Sequence, residues 1–224
     1  MLSRVLEPEC MDDPAEAASY DDMNHSQVNV QFVNDLIAGG TIGQDILDLG
    51  TGTAQIPVLL CERLDDVRVM ALDASASMLQ LASYNIELAS AVDRIQLMQG
   101  DAKSMGDFED EMFHCVMSNS LMHHLPDPSV MLAESYRLVA EGGRLFIRDL
   151  VRPDSDAEVE RLVALYAGEE TPLAQQLLRQ SFHAALTLDE VRRMLSANDL
   201  PQHAVSMTSD RHWTIDLRKQ EVSQ

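Results

Sequence analysis

Positive charge is scarce in this chain: 16 Lys and Arg stand against 37 Asp and Glu, for a formal net charge of -21 at pH 7. A surface of that sign repels phosphate backbones and anionic lipid heads, so neither nucleic acid nor membrane is expected as a partner. Cysteine is scarce as well. Cys10, Cys61 and Cys115 make an odd count without metal-ligand spacing, and the last two sit inside apolar runs as small hydrophobes. That usage fits a reducing cytoplasm. No apolar run is long enough for a signal peptide or a membrane span, and no internal repeat or low-complexity linker breaks the chain.

What is present is the raw material of one domain. The chain has 224 residues, 46% of them hydrophobic, which suits a single α/β unit spanning 1–224. Residues 1–40 read as an N-terminal cap, in which Ser26 opens a helix to about Ala38 that Gly39-Gly40 ends. Strands at 45–49, 67–73, 95–99, 113–118 and 144–149 then alternate with helices at 54–64, 76–89 and 128–139, giving a core over 41–150. Such alternation needs crossovers and predicts a largely parallel sheet with helices on both faces. Two successive helices at 154–167 and 172–185 interrupt it, a lid insertion over 153–186. The remainder, 187–224, opens with a capping box at Thr187-Leu188-Asp189-Glu190 and closes with an antiparallel hairpin at 204–208 and 212–217. The expectation is a seven-stranded sheet, six strands parallel and one antiparallel.

The strongest chemical signal is Asp48-Leu49-Gly50-Thr51-Gly52-Thr53-Ala54, a strand running through two glycines into a helix N-terminus. Glycines there let a ligand touch the backbone, and Asp48 at the strand end can accept hydrogen bonds from an ammonium. A dinucleotide fingerprint would require glycine where Gln55 stands, which is awkward for a pyrophosphate. Asp73 ends the second strand, placed to accept both hydroxyls of a ribose. Gly100-Asp101-Ala102 after the third strand brings a carboxylate toward an adenine amino group.

Together with Ser118-Asn119-Ser120, these pieces resemble the class I, Rossmann-like S-adenosylmethionine-dependent methyltransferases over about residues 25–150. The resemblance implies S-adenosylmethionine as cofactor. It assigns Asp48, Gly50 and Gly52 to the methionine end and Asp73 to the ribose, with Thr51, Ala74 and Met78 as further cofactor contacts. Asp101 and Ala102 fall to the adenine, and Asn119 lies near the methyl group. Tyr20 would fold over the cofactor from the N-terminal segment. Two features depart from the family pattern. The usual third loop glycine is Ala54, and Asn119 lacks the following Pro-Pro-Tyr or Pro-Pro-Phe of enzymes that methylate nucleobases and protein glutamine.

His123-His124 invites a metal reading, but adjacent histidines point in different directions and no third ligand is spaced for zinc, so no metal is expected. The stretch resembles the HH-x-x-D-P segment of these methyltransferases, which shapes the turn after the fourth strand. Asp149, His123 and His212 are the candidate general bases, and Arg148, Arg152, Arg211 and His25 the candidate substrate contacts. Arginines at the rim would anchor an acidic group on a small-molecule acceptor. Trp213, the only tryptophan, reads as core. Two rival readings stand beside methyl transfer: a scaffold that binds S-adenosylmethionine without turnover, and a nicotinamide-dependent oxidoreductase. The oligomeric state is left open, a homodimer among the options.

Overall fold

The computed structural model describes residues 2–7 and 26–220. After helix α1 (Ser26–Ala38) come β1 (Asp45–Leu49), α2 (Gln55–Arg63), β2 (Arg68–Asp73), α3 (Ala76–Leu88), β3 (Ile95–Gln99) and β4 (Phe113–Asn119). A 3-10 turn, Met122–His124, leads to α4 (Pro128–Leu138) and β5 (Val139–Leu150). The chain ends in α5 (Asp156–Ala167), α6 (Pro172–Ala184), α7 (Leu188–Ala197), β6 (Val205–Met207) and β7 (His212–Arg218).

The described strands form one seven-stranded sheet in the order β3-β2-β1-β4-β5-β7-β6. β1 to β5 run parallel, and β7 lies antiparallel to both β5 and β6. The expected six-plus-one arrangement is therefore the observed one. Strand order reverses between β1 and β4, and in an open α/β sheet the carboxyl ends at such a reversal part to leave a ligand crevice. Leu49 and Asn119, the last residues of these two strands, flank it.

Because both faces of the parallel strands are covered, they are apolar almost throughout. In β1, Leu47 and Leu49 join the core formed with Met131, Leu132, Trp213 and Ile215. Ile46 faces the other side, with Phe32, Leu60, Ala82 and Phe146. By the same alternation Asp48 points into that second layer, a buried carboxyl in apolar surroundings. Trp213 is fully buried, as expected of a core residue.

Local chemistry fixes the helix starts. Ser75, Asp127, Ser155 and Thr171 cap α3, α4, α5 and α6, each accepting a backbone N–H of the first turn, a contribution of about 1 kcal/mol apiece. The capping box at Thr187 and Glu190 forms in both directions. One boundary differs from the sequence reading. β5 starts at Val139, directly after α4, and its register with β4 slips between Phe113 and Cys115. The Gly142-Gly143 pair thus lies inside a long irregular strand rather than before a short one. Helices α5 and α6 build a small core of their own around Val159, Leu162, Val163 and Phe182.

Candidate functional site

The crevice is built from the ends of β1, β2, β3 and β4. Gly50 and Gly52 take left-handed conformations, with φ of 69° and 55°. A Cβ on Gly50 would approach Leu121 to 2.9 Å, whereas one on Gly52 would meet nothing and project into open space. The amides of Gly50 and Thr51 donate to the Leu72 carbonyl at 2.9 and 3.0 Å, which ties the loop to β2. Asp73 tightens the tie: its Oδ2 accepts the Gly52 amide at 2.7 Å and its Oδ1 the Ser75 amide at 2.9 Å. The Gly100 amide in turn donates to the Asp73 carbonyl.

These turns enclose a cavity of about 500 Å3, ordinary for a small-ligand site. Gly50, Gly52, Asp73, Ala74, Met78, Asp101, Ala102 and Asn119 all line it, as the sequence reading expects of cofactor contacts. Asp48 and Thr51 line a smaller chamber that shares Gly50, Gly52 and Asn119 with the main cavity. Asn119 Oδ1 is buried and has no hydrogen-bond partner in the protein, so it offers an acceptor to an amine or ammonium. Burial pushes the Asp48 carboxyl up to about 7; the Thr51 hydroxyl opposes this and the nearby Asp73 charge adds to it. Gln55, the residue that argues against a pyrophosphate, is turned to α1, where its Oε1 accepts from Asn29 Nδ2 at 3.0 Å.

Several wall residues were not read from the sequence as cofactor contacts. Leu121, His124 and Leu125 reach the cavity only because the 3-10 turn folds back under the glycine loop. Of the candidate bases, Asp149, His123 and His212 are all buried, and none is among the lining residues. Asp149 accepts the backbone amides of His123 at 3.0 Å and Leu150 at 2.6 Å, and its Oδ1 lies 2.5 Å from His123 Nδ1. The other ring nitrogen of His123 lies 3.1 Å from Glu7 of the N-terminal segment. Burial alone would lower His123, but Asp149 and Glu7 outweigh it and raise the imidazole to about 10. Glu7 is shifted the other way: burial raises it, yet contact with His123 and His124 holds it below its ordinary value. His212 is the reverse case. Burial, with Arg211 and Arg148 nearby, lowers it to about 4, and Nδ1 lies 2.9 Å from Ser209 Oγ.

The candidate substrate arginines are employed within the protein. Arg148 pairs with Asp35 at 2.7 Å and donates to Thr214 Oγ1 at 2.9 Å. Arg152 donates to the Ala185 carbonyl and pairs with Glu190 at 2.7 Å, joining β5 to the capping box. Arg211 stacks on the Tyr166 ring, 3.3 Å from its centroid. Tyr20 and His25 lie outside the described residues.

Comparison with known proteins decides the class. Residues 47–147 match the family described as methyltransferase domain. Over that segment, a little under half of the chain, it carries a methyltransferase domain, and its fold is that of the S-adenosylmethionine-dependent methyltransferases. Among its relatives, this chain is 23% identical over 163 residues to the demethylmenaquinone methyltransferase of Bacteroides fragilis, covering 73% of the chain and 66% of that protein. It is 27% identical over 144 residues to the ubiquinone/menaquinone biosynthesis C-methyltransferase of Enterobacter sp., covering 61% of the chain and 57% of that protein. The chain thus spans less than two thirds of the length of either relative. In fold it is similar to a SAM-dependent methyltransferase from Aquifex aeolicus, with a TM-score of 0.66 at 15% identity over 92% of this chain and 98% of that one. S-adenosylmethionine is the cofactor of this methyltransferase, and the lone Asn119 acceptor with the paired chambers fits its amino-acid end.

Proposed function

We propose that the protein transfers a methyl group from S-adenosylmethionine to a small-molecule acceptor. When bound, the cofactor supplies an activated methyl on a sulfonium, and an acceptor aligned opposite the sulfur takes it without the protein having to activate the donor. The residues have the simpler tasks of holding and drying. Asp48 and Asn119 Oδ1 receive the ammonium, Asp73 keeps lone pairs for the ribose hydroxyls, and Asp101 faces the adenine. Leu121 and Leu125 supply apolar wall that excludes water from the reacting centre.

The observation that carries the reading is the convergence of Gly52, Asp73, Asp101 and Asn119 on one cavity at the reversal of strand order. The acceptor stays a small molecule because the cavity holds about 500 Å3 in all, most of which a cofactor fills. If that acceptor carries an acidic group, Arg211 is the first of the three arginines to test, since Arg148 and Arg152 already pair with carboxylates; it stacks on Tyr166 outside the cavity lining, so it would act only on an acceptor that extends beyond the cavity. The relatives named for quinone intermediates make electron-rich rings the first acceptors to try. We place the protein in the cytoplasm, in keeping with its acidic composition and its buried free Cys61 and Cys115; among the described residues no helix is long and apolar enough to cross a membrane.

The test combines binding and turnover. S-adenosylhomocysteine should raise the melting temperature while NAD leaves it unchanged. Radiolabelled methyl donor should then label one member of a metabolite panel. Stabilisation without any labelling would favour the scaffold reading, and stabilisation by NAD alone would favour the oxidoreductase.

A further inference from the structure

We propose that Glu7, His123 and His124 form a binding site for a divalent first-row transition metal beneath the wall of the cofactor cavity. Adjacent side chains diverge in an extended chain, but the 3-10 turn at Met122–His124 brings these two imidazoles face to face, with centroids 4.2 Å apart and planes 32° from parallel. The third donor comes from far away in sequence. Val5 donates its amide to the His183 carbonyl at 3.0 Å. The Arg4 guanidinium donates to the carbonyls of Ala184, His123 and Leu125 at 2.7, 3.1 and 2.8 Å. This segment carries Glu7 into the protein, where Ser181 donates to Oε2 and leaves Oε1 aimed at the histidines.

The geometry at Glu7 Oε1 fits that of a ligand. The atom is buried, 3.1 Å from His123 Nε2 and 3.2 Å from His124 Nδ1, an ion-pair contact in which neither approach has the direction of a well-formed hydrogen bond. Oε1 lies off the axes along which the rings project. Donor atoms around a metal stand in that relation, since each points at the ion and not at its neighbours. With bonds of about 2.0–2.2 Å, tetrahedral ligands sit about 3.3–3.6 Å apart, so the separations here would widen by a few tenths of an ångström on binding. The donor atoms of all three residues lie within 4.8 Å of one another.

The surroundings complete the argument. Asp149 occupies the opposite nitrogen of His123 at 2.5 Å, the carboxylate–histidine arrangement that orients metal-bound imidazoles and raises their basicity. Two carboxylates with buried side chains, Glu7 and Asp149, converge on this spot, and a divalent cation would compensate their charge. Two imidazoles and one carboxylate suit zinc, iron(II), cobalt(II) or nickel(II) better than calcium or magnesium. Of the three residues only His124 lines the cavity, so the site lies beneath the cavity wall and touches it through that imidazole.

The experiment uses the full chain, stripped with chelator and kept free of methyl donor, so that its outcome is independent of methyl transfer. Zinc is titrated calorimetrically at pH 8, and cobalt(II) is followed by its visible absorption. One equivalent should bind, with absorption of a four- or five-coordinate ion. Glu7→Gln and His124→Gln should each weaken binding at least a hundredfold, and Asp149→Asn should weaken it about tenfold or more. His183→Gln, a change at a half-exposed histidine paired with Asp156, should leave the affinity unchanged. If Glu7→Gln fails to fold, His124→Gln decides alone. Absence of stoichiometric binding, or binding that both variants keep, would overturn the site and leave the three residues an internal ion pair.

Discussion

The Asp73 carboxylate and the Gly52 amide, 2.7 Å apart, join the second strand to the glycine loop after the first. The carboxylate read from sequence as a ribose acceptor therefore also holds the loop in shape. Asp73→Ala should cost cofactor affinity on the order of 2–3 kcal/mol, and should also lower thermal stability without cofactor, because the Gly52 and Ser75 amides lose their acceptor. Asp73→Asn, which keeps one oxygen, should recover part of the stability but less of the affinity. Calorimetry and unliganded melting curves separate the two effects; an Asp73→Ala protein with wild-type affinity would remove the residue from the site.

Gly50 and Gly52 should respond differently to the same substitution. Gly50→Ala sets a Cβ 2.9 Å from Leu121 in a left-handed conformation, and should destabilise by about 2 kcal/mol or more. Gly52→Ala meets no atom, so only its φ of 55° is penalised, about 1 kcal/mol. Its methyl occupies cavity space, however, and affinity for S-adenosylhomocysteine should fall tenfold or more. Equal losses of stability, or unchanged affinity in Gly52→Ala, would contradict the placement of Gly52 against the ligand.

Asp48 makes cofactor binding depend on pH. Its folded-state carboxyl titrates at about 7, above the ordinary value of 3.8, so the folded protein holds this proton more tightly than the unfolded chain. The contribution of this group to stability is therefore greatest at low pH, falls as pH rises from about 4 to about 7, and is level above. An ammonium bound beside it favours the ionised form. Affinity for the cofactor product should thus weaken below pH 7, by up to about tenfold per unit, with proton release on binding. Calorimetry in buffers of different ionisation heat measures that release, and Asp48→Asn should abolish it.

Arginine variants test the acceptor. Arg148→Lys should lower stability, since its bond to Thr214 is buried and its pairing with Asp35 part-buried, with little effect on affinity for substrate. Arg211→Lys should raise KM tenfold or more, about 1.4 kcal/mol, if the acceptor carries an acidic group. A folded Arg211→Lys enzyme with wild-type kcat/KM would assign Arg211 to its stack on Tyr166 alone.

Of the pair, α6 packs on the 3-10 turn and α5 packs on α6; neither supplies a cavity-lining residue, so the helical lid of the sequence reading would act through the turn. Hydrogen exchange in 156–184 should slow when cofactor product and acceptor bind together. Exchange that ignores both ligands would make the pair scaffold.

Periodicity and end signals determined the secondary structure of this chain. Strands buried on both faces are apolar runs, helices carry their own caps, and crossovers follow from the alternation, so the sheet, the glycine loop and the places of Asp73, Asp101 and Asn119 on the cavity wall were legible residue by residue. Two kinds of fact were not. β5 begins at Val139 because the sheet tolerates a register slip that no local propensity marks. The surroundings of His123 were also hidden, since they depend on Asp149 at the end of another strand and on Glu7 more than a hundred residues away. Short-range signals set backbone conformation; which charges meet in the interior is settled only when packing closes distances that the sequence does not encode locally. For the same reason Arg148 and Arg152, read as rim cations, turned out to be the partners of Asp35 and Glu190.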